Sequence, residues 1–399
     1  MTGERPTAAP GPPPPEGPSP EVLAANQAHK RAMPLQRLLG NGMDWADAVE
    51  LYARADRGET WHRAAFALGL RDAERADSAL AAGHRRTARD WYLAAAACHR
   101  FGQVPLPDSD PDKILLYRHL IDAFGRAGAL YDPPAERMAV PWGGGQLRGW
   151  LLRPRTAHPP PTVIVVGGFD GWREEYHSGA VHLLDRGVAV LLAEAPGQGE
   201  TRLFTGLHLG PDFTGAFSAM VTWIGGNHAL GDRVGVWGNS MGGFLAAAAA
   251  IDDHRIEACC VNGGTTTPVE FPRRYPRMAE KARLLLGAAD TGRALKALAE
   301  LRLRPAGLSR LTCPLLVLHG TPDRVFRVEN ARALYAGAAS QDKTWHEWPD
   351  GDHCLYNHSL EKHTLVADWF ADRLAAHTAL SSSRRTDESR APHAHRQPR

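Results

Sequence analysis

From about Glu136 onward the sequence repeats one pattern: a short continuous apolar run, a stretch with helical spacing, then another apolar run. The runs are Val163-Ile164-Val165-Val166, Val188-Ala189-Val190-Leu191-Leu192, Val234-Gly235-Val236, Ala258-Cys259-Cys260-Val261 and Leu315-Leu316-Val317-Leu318. A strand with one wet face alternates apolar and polar residues, so strands that are apolar throughout must be covered on both faces. Strands of that kind separated by helices build a parallel sheet between two helical layers, where ligands gather beyond the carboxyl ends of the strands. Ahead of them, Met138-Ala139-Val140-Pro141 and Leu147-Arg148-Gly149-Trp150-Leu151-Leu152 flank Gly143-Gly144-Gly145, as a hairpin would.

The preceding part of the chain differs. Between about Asn26 and Phe124 it is rich in Ala, Arg, Leu and Asp, has apolar residues at helical spacing and almost no β-branched run. Ala64, Leu68, Ala76, Ala79, Ala88 and Ala94 predict closely packed helices. Trp45, Tyr52, Trp61, Trp91, Tyr92 and Tyr117 serve either as anchors of that helical core or as walls of a pocket for a flat substrate. Residues 1–25, with Pro12-Pro13-Pro14-Pro15, and the Ser-, Arg- and His-biased 379–399 bury too little apolar surface to order themselves. The expected organisation is therefore a disordered tail, a helical domain over 26–135, an α/β core over 136–378, and a second disordered tail. Residues about 265–310, with Arg273, Arg274, Tyr275, Arg277 and Met278, interrupt the strand pattern as a cap insertion would.

A formal net charge of +2, without a basic stripe interleaved with aromatics, argues against nucleic acid and membrane surfaces as partners and for a small molecule. Five scattered cysteines without a C-x-x-C pair predict buried free thiols, no zinc site and a cytoplasmic location. The longest apolar runs fall well short of a membrane span, and the first twenty residues lack the apolar centre of a signal peptide.

Chemistry concentrates at Gly238-Asn239-Ser240-Met241-Gly242-Gly243, which follows the apolar run at Val234 and precedes Phe244-Leu245-Ala246-Ala247-Ala248-Ala249-Ala250. In a glycine-rich chain the G-x-S-x-G pattern alone is weak; a strand before it and a helix after it make it a nucleophile elbow. A serine hydroxyl needs a histidine to take its proton and a carboxylate to orient the imidazole. Asp323 follows the apolar run at Leu315, and His353 follows Trp345 to Trp348. Asp350 and Asp352 lie so close to His353 in sequence that a loop would turn them elsewhere. The chain order Ser240, Asp323, His353 is that of the α/β-hydrolase fold. His346-Glu347 does not read as a zinc motif, because the second histidine position is Asp350 and Pro349 breaks the helix. The oxyanion donors are expected to be the amides of Met241, at a helix start, and Phe169, in the loop Gly167-Gly168-Phe169-Asp170-Gly171. Gly197-Gln198-Gly199-Glu200 reads as a structural turn after a strand. Glu270 in the cap region is either a solvated acid or one that faces substrate.

The helical segment ending near Asp112-Lys113-Ile114-Leu115-Leu116-Tyr117, the run Gly168-Phe169-Asp170-Gly171-Trp172-Arg173-Glu174-Glu175, Pro196-Gly197-Gln198-Gly199-Glu200 and the Ser240 elbow together resemble the 2,6-dihydroxypseudooxynicotine hydrolase-like group of α/β hydrolases. That group also includes esterase-like members and fungal polyketide-shortening hydrolases, and the likeness covers roughly Met33 to Leu374. It implies a helical domain on a hydrolase core, an active site between them, often a homodimer, and Ser240, Asp323 and His353 as the triad. Where the group more usually has a lysine before the paired acids, this chain has Arg173. The expected activity is cofactor-free and metal-free hydrolysis of an acyl bond through an acyl-serine. The bond is an ester, a thioester or a carbon-carbon bond beside a ketone, in a small aromatic or polyketide-like molecule. A general carboxylesterase or peptidase, and an acyltransferase or cyclase using the same acyl-serine, are the alternatives.

Overall fold

A computed structural model describes residues 18–169 and 171–375. Both expected disordered tails fall wholly or mostly outside the described residues. Six helices come first: α1 (Pro20–Ala32), α2 (Leu35–Gly40), α3 (Trp45–Asp56), α4 (Trp61–Ala81), α5 (Arg85–Gln103) and α6 (Pro111–Gly128). Helix α1 thus begins six residues before the expected boundary at 26. Pro20 sits in its first turn, where a fixed φ suits the helix and no N–H is missed, and Glu21 complements the helix N-terminus.

The remaining chain alternates as the apolar runs predict. The strands are β1 (Glu136–Trp142), β2 (Gly145–Leu152), β3 (Thr162–Val166), β4 (Ala189–Ala193), β5 (Val234–Asn239), β6 (Ile256–Asn262), β7 (Leu315–Gly320) and β8 (Lys343–Trp348). Between β3 and β4 lies α7 (His177–Leu184), between β4 and β5 lie α8 (Gly199–Leu203) and α9 (Thr214–Gly225), and α10 (Met241–Asp252) follows β5. The β6–β7 connection holds α11 (Glu270–Arg274), α12 (Met278–Leu286), α13 (Thr291–Glu300) and α14 (Pro305–Leu308) over the expected cap region. Helices α15 (Val328–Gly337) and α16 (Ser359–Leu374) complete the fold.

The eight strands form one sheet in the order β1-β2-β4-β3-β5-β6-β7-β8, antiparallel at β1, β2 and β4 and parallel from β4 through β8. Strands β3, β4, β5 and β7 are buried end to end. Because side chains alternate across a strand, Val163 and Val165 join one core while Ile164 and Val166 join the other. The first core runs from the sheet through Trp237 and Phe370 into the amino-terminal helices at Leu38, Trp61, Phe101 and Phe124 without a break. The second packs Phe217, Met220, Phe244, Leu245 and Leu334 against the opposite face. No helix among the described residues is long and apolar enough to cross a membrane.

Of the six helical-segment aromatics, Trp61, Tyr92 and Tyr117 are buried anchors, while Trp45 is 59% exposed. The Trp61 indole donates to the Phe101 carbonyl at 2.9 Å, tying α4 to α5. Tyr117 packs against Trp172 with ring centres 4.8 Å apart and planes inclined by 59°, and donates to Glu194 at 2.7 Å.

Beneath that contact lies a buried charge cluster. Arg173 is 1% exposed and faces Glu174 at 2.7 Å, Glu200 at 2.6 Å and Glu194 at 3.5 Å. Burial pushes Glu194 up to about 7 against the pull of the guanidinium. A cation shared by three buried acids cannot be lost cheaply, since one unpaired buried charge costs on the order of 3–5 kcal/mol. Arg173→Met is expected to lower unfolding free energy by about that amount in a denaturant titration, and Arg173→Lys by clearly less.

Candidate active site

Strand β5 delivers Ser240 to the carboxyl edge of the sheet and α10 begins at the next residue. The serine has φ 60° and ψ −130°, a backbone conformation of the kind that costs a non-glycine residue on the order of 1–3 kcal/mol. The turn closes only because position 238 is glycine, where a β-carbon would overlap the Gly242 carbonyl oxygen. The serine backbone is held by Ser240 N donating to Asn262 O at 2.9 Å and Gly243 N donating to Ser240 O at 2.9 Å.

His353 comes from the loop after β8. Its Nε2 lies 2.9 Å from Ser240 Oγ, and its Nδ1 lies 2.8 Å from Asp323 Oδ2. Asp323, on the loop after β7, uses its other oxygen to accept from the amides of Val325 at 2.7 Å and Phe326 at 3.2 Å. Both of its oxygens are thereby placed. Burial works to raise the Asp323 pKa, but the charge and hydrogen bond of His353, with His319 and the Val325 amide, bring it below the usual carboxylate range. Burial likewise disfavours charge on His353, and the Asp323 carboxylate, with Cys354 beside the ring, outweighs it, so the imidazole pKa ends well above 6.5. A hydroxyl placed like this can pass its proton to the imidazole as its oxygen attacks a carbonyl. Asp350 and Asp352 turn away as expected: Asp350 meets His358 at 3.0 Å, and Asp352 accepts from the Tyr356 amide at 2.6 Å.

The loop after β3 passes directly over the serine. A β-carbon at Gly168 would lie 2.8 Å from Ser240 Oγ and 2.9 Å from the Met241 amide nitrogen, so glycine is what allows this approach. Phe169 follows, its ring edge-on to Phe271 of α11 with centres 5.6 Å apart. It forms one wall of a cavity of about 330 Å³ whose lining also includes Leu106, Lys113, Trp172, Arg277 and Leu285. The cavity therefore lies between the α5–α6 connection, the strand-end loops and α12. None of the six aromatics named from the helical segment lines it; Phe169 and Trp172 do.

Glu270 stands at the start of α11, where its carboxylate accepts from Thr265 Oγ1 at 2.6 Å and meets Arg274 at 3.9 Å. Neither partner belongs to the Ser240–His353–Asp323 chain. Asp47, Asp72 and Cys98 bring possible ligand atoms within 4.8 Å of one another in the helical layer, but Arg71 pairs with both carboxylates. Arg71 thereby already supplies a positive charge to both acids.

Three supporting residues were not legible in the sequence. Asn262 Nδ2 donates to Asn239 Oδ1 at 2.8 Å and to Cys354 O at 3.1 Å, and the buried Lys362 ammonium donates to the same carbonyl at 3.0 Å. These bonds hold the loop where Cys354 and Leu355 take φ values of 59° and 58° directly after His353. Gln198, read as part of a plain turn, donates to Gly167 O at 2.6 Å and Gly168 O at 3.1 Å. The one available signal was its position after β4, a strand whose end borders that of β3.

Comparison with known proteins agrees with this architecture. Residues 161–298 match the alpha/beta hydrolase fold family, and residues 281–359 match the serine aminopeptidase S33 family. The chain is 29% identical over 342 residues to 2,6-dihydropseudooxynicotine hydrolase of Paenarthrobacter nicotinovorans, covering 85% of this chain and 91% of that protein. It is 31% identical over 255 residues to alpha/beta hydrolase ucsC of Acremonium sp, 56% of this chain and 52% of that one, so it spans about half of this fungal relative. The crystal structure of the 2,6-dihydroxy-pseudo-oxynicotine hydrolase superposes with a TM-score of 0.78 at 25% identity, over 85% of this chain and 95% of that one. By fold and by relatives, the chain is an enzyme of the α/β-hydrolase superfamily, similar along most of its length to the 2,6-dihydroxypseudooxynicotine hydrolase group.

Proposed function

We propose that the protein is a cytoplasmic serine hydrolase that cleaves an acyl bond in a small aromatic or polyketide-like molecule. Ser240 attacks the carbonyl, His353 takes the proton and returns it to the leaving group, and Asp323 orients and stabilises the imidazolium. The Met241 and Phe169 amides receive the developing oxyanion, and water releases the acyl group from Ser240. The observation that carries this reading is the continuous chain Ser240 Oγ, His353, Asp323 at 2.9 and 2.8 Å. The cavity beside Phe169 has the size of a small-molecule site and meets the proposed machinery at Phe169, since neither Ser240 nor His353 is part of its lining. Carbon-carbon cleavage on this machinery requires a leaving carbanion that can delocalise, so the substrate class is a 1,3-dicarbonyl or an acylated phenol. All five cysteines are free thiols, which supports the cytoplasmic placement. A homodimer belongs to the same proposal.

Two measurements test it. Mass spectrometry of enzyme quenched during turnover of p-nitrophenyl acetate should find an acyl group on the peptide bearing Ser240; an adduct elsewhere overturns the assignment. Turnover of an aromatic 1,3-diketone, compared with the nitrophenyl ester, decides between carbon-carbon and ester chemistry. Glu270 is assigned to substrate contact within this reading, and Glu270→Gln is expected to raise KM about 3- to 10-fold, a loss of roughly 1 kcal/mol of binding, with an unchanged melting temperature. An unchanged KM with a lowered melting temperature would instead make its bond to Thr265 the residue's whole role.

A further inference from the structure

We propose that Gln198 is a positioning residue that aims the Phe169 amide at the reacting carbonyl, an inference that rests on the serine-hydrolase reading above. The sheet order supplies the setting. Strand β3 lies between β4 and β5, so its loop, carrying Gly167, Gly168 and Phe169, runs between the loop after β4 and the serine elbow after β5. Gln198 stands on one side of it and Ser240 on the other.

Gln198 is 5% exposed, and every polar atom of its side chain has a task. Its Oε1 accepts from the Ala195 amide at 2.9 Å, which fixes which end of the side-chain amide is oxygen. Its Nε2 donates to the carbonyls of Gly167 at 2.6 Å and Gly168 at 3.1 Å. With the amide reversed, an oxygen would face two carbonyl oxygens, so the orientation has no competitor.

The bond to Gly168 O acts on the next residue. That carbonyl and the Phe169 N–H belong to one planar trans peptide, and in such a unit the C=O and N–H point in opposite directions. Drawing the oxygen toward Gln198 turns the N–H toward the side where a β-carbon on Gly168 would touch Ser240 Oγ and the Met241 amide nitrogen. An oxyanion donor contributes only when it is oriented before charge develops, and since glycine places little restriction on its own backbone, a contact from outside the Gly167-Gly168 pair fixes that orientation. The Gln198 amide supplies it from behind, without touching substrate.

Two variants test this. Gln198→Ala removes the donor, and Gln198→Met removes it while keeping the length and volume of the side chain; the second carries the comparison should the first fail to fold. Each folded variant is expected to lose about 10- to 100-fold in kcat for p-nitrophenyl acetate, with KM within about threefold of wild type. Affinity for a trifluoromethyl ketone, whose serine adduct places an oxyanion in the same site, should fall by the factor by which kcat/KM falls. A merely structural glutamine would lower the melting temperature without that proportionality. A kcat within threefold of wild type, or a reduced kcat with unchanged ketone affinity, overturns the proposal. A wild-type enzyme that a fluorophosphonate fails to label overturns the serine reading and this inference together. Labelling that Ser240→Ala abolishes, beside unimpaired Gln198 variants, overturns this inference alone.

Discussion

Ser240→Ala is expected to abolish labelling by a fluorophosphonate and to lower kcat by about 10⁴- to 10⁶-fold, leaving only what binding and the oxyanion donors contribute. The size of the effect follows from the geometry. Asp323 polarises His353, and His353 polarises one hydroxyl at 2.9 Å. Without that oxygen the other two members have no nucleophile to activate, and the oxyanion donors proposed at Met241 and Phe169 have little charge to stabilise. The alanine also relieves nothing in the backbone, since φ of 60° is as unfavourable for alanine as for serine. The melting temperature should therefore hardly move. Equal labelling of wild type and variant would show that the reactive oxygen lies elsewhere.

Asp323→Asn should cost about 10⁴-fold in kcat and displace the pH profile as well. His353 must be neutral to accept the serine proton. Burial alone would lower its pKa, and the Asp323 carboxylate reverses that, holding it well above 6.5. A raised pKa keeps the imidazole protonated to higher pH, so kcat/KM of the wild type should fall as pH drops through an ionisation above 6.5. With asparagine the larger raising influence is lost while burial and the Cys354 contact remain, and the acidic limb should move to lower pH. A limb that stays in place would mean that another group controls it. Asparagine also has an amide nitrogen that cannot accept from His353 Nδ1, so the imidazole tends toward the wrong tautomer.

The sheet and the three central site residues were legible because each leaves a local mark. Apolar runs such as Val163 to Val166 announce a doubly covered strand, the glycines around Ser240 announce a tight turn, and Asp323 and His353 each follow such a run. The start of α1 at Pro20 was not legible from composition, since proline marks both disordered tails and first helical turns. Gln198, Asn262 and Lys362 were not legible for a different reason. Their roles arise from neighbours brought together by strand order: Gln198 meets Gly168 thirty residues away, and Lys362 meets a carbonyl in the histidine loop. The sequence around each of them resembles any turn, strand end or helix. Glu270 shows the reverse case, a residue conspicuous by its location whose carboxylate engages Thr265.

The unbroken apolar interior shared by the sheet and the amino-terminal helices means that the two layers are not separable modules. Leu38, Trp61 and Phe124 are as much the floor of the sheet as Val165 or Trp237, and the Tyr117 phenol plugs into the same acids that neutralise Arg173. A shortened chain beginning at the β1–β2 hairpin would keep α7 and α16 on that face but would bare Trp150 and Trp172 to water. Under the proposed function, specificity is thus more readily altered at the α5–α6 connection and α12, which line the cavity, than by removing the amino-terminal helices.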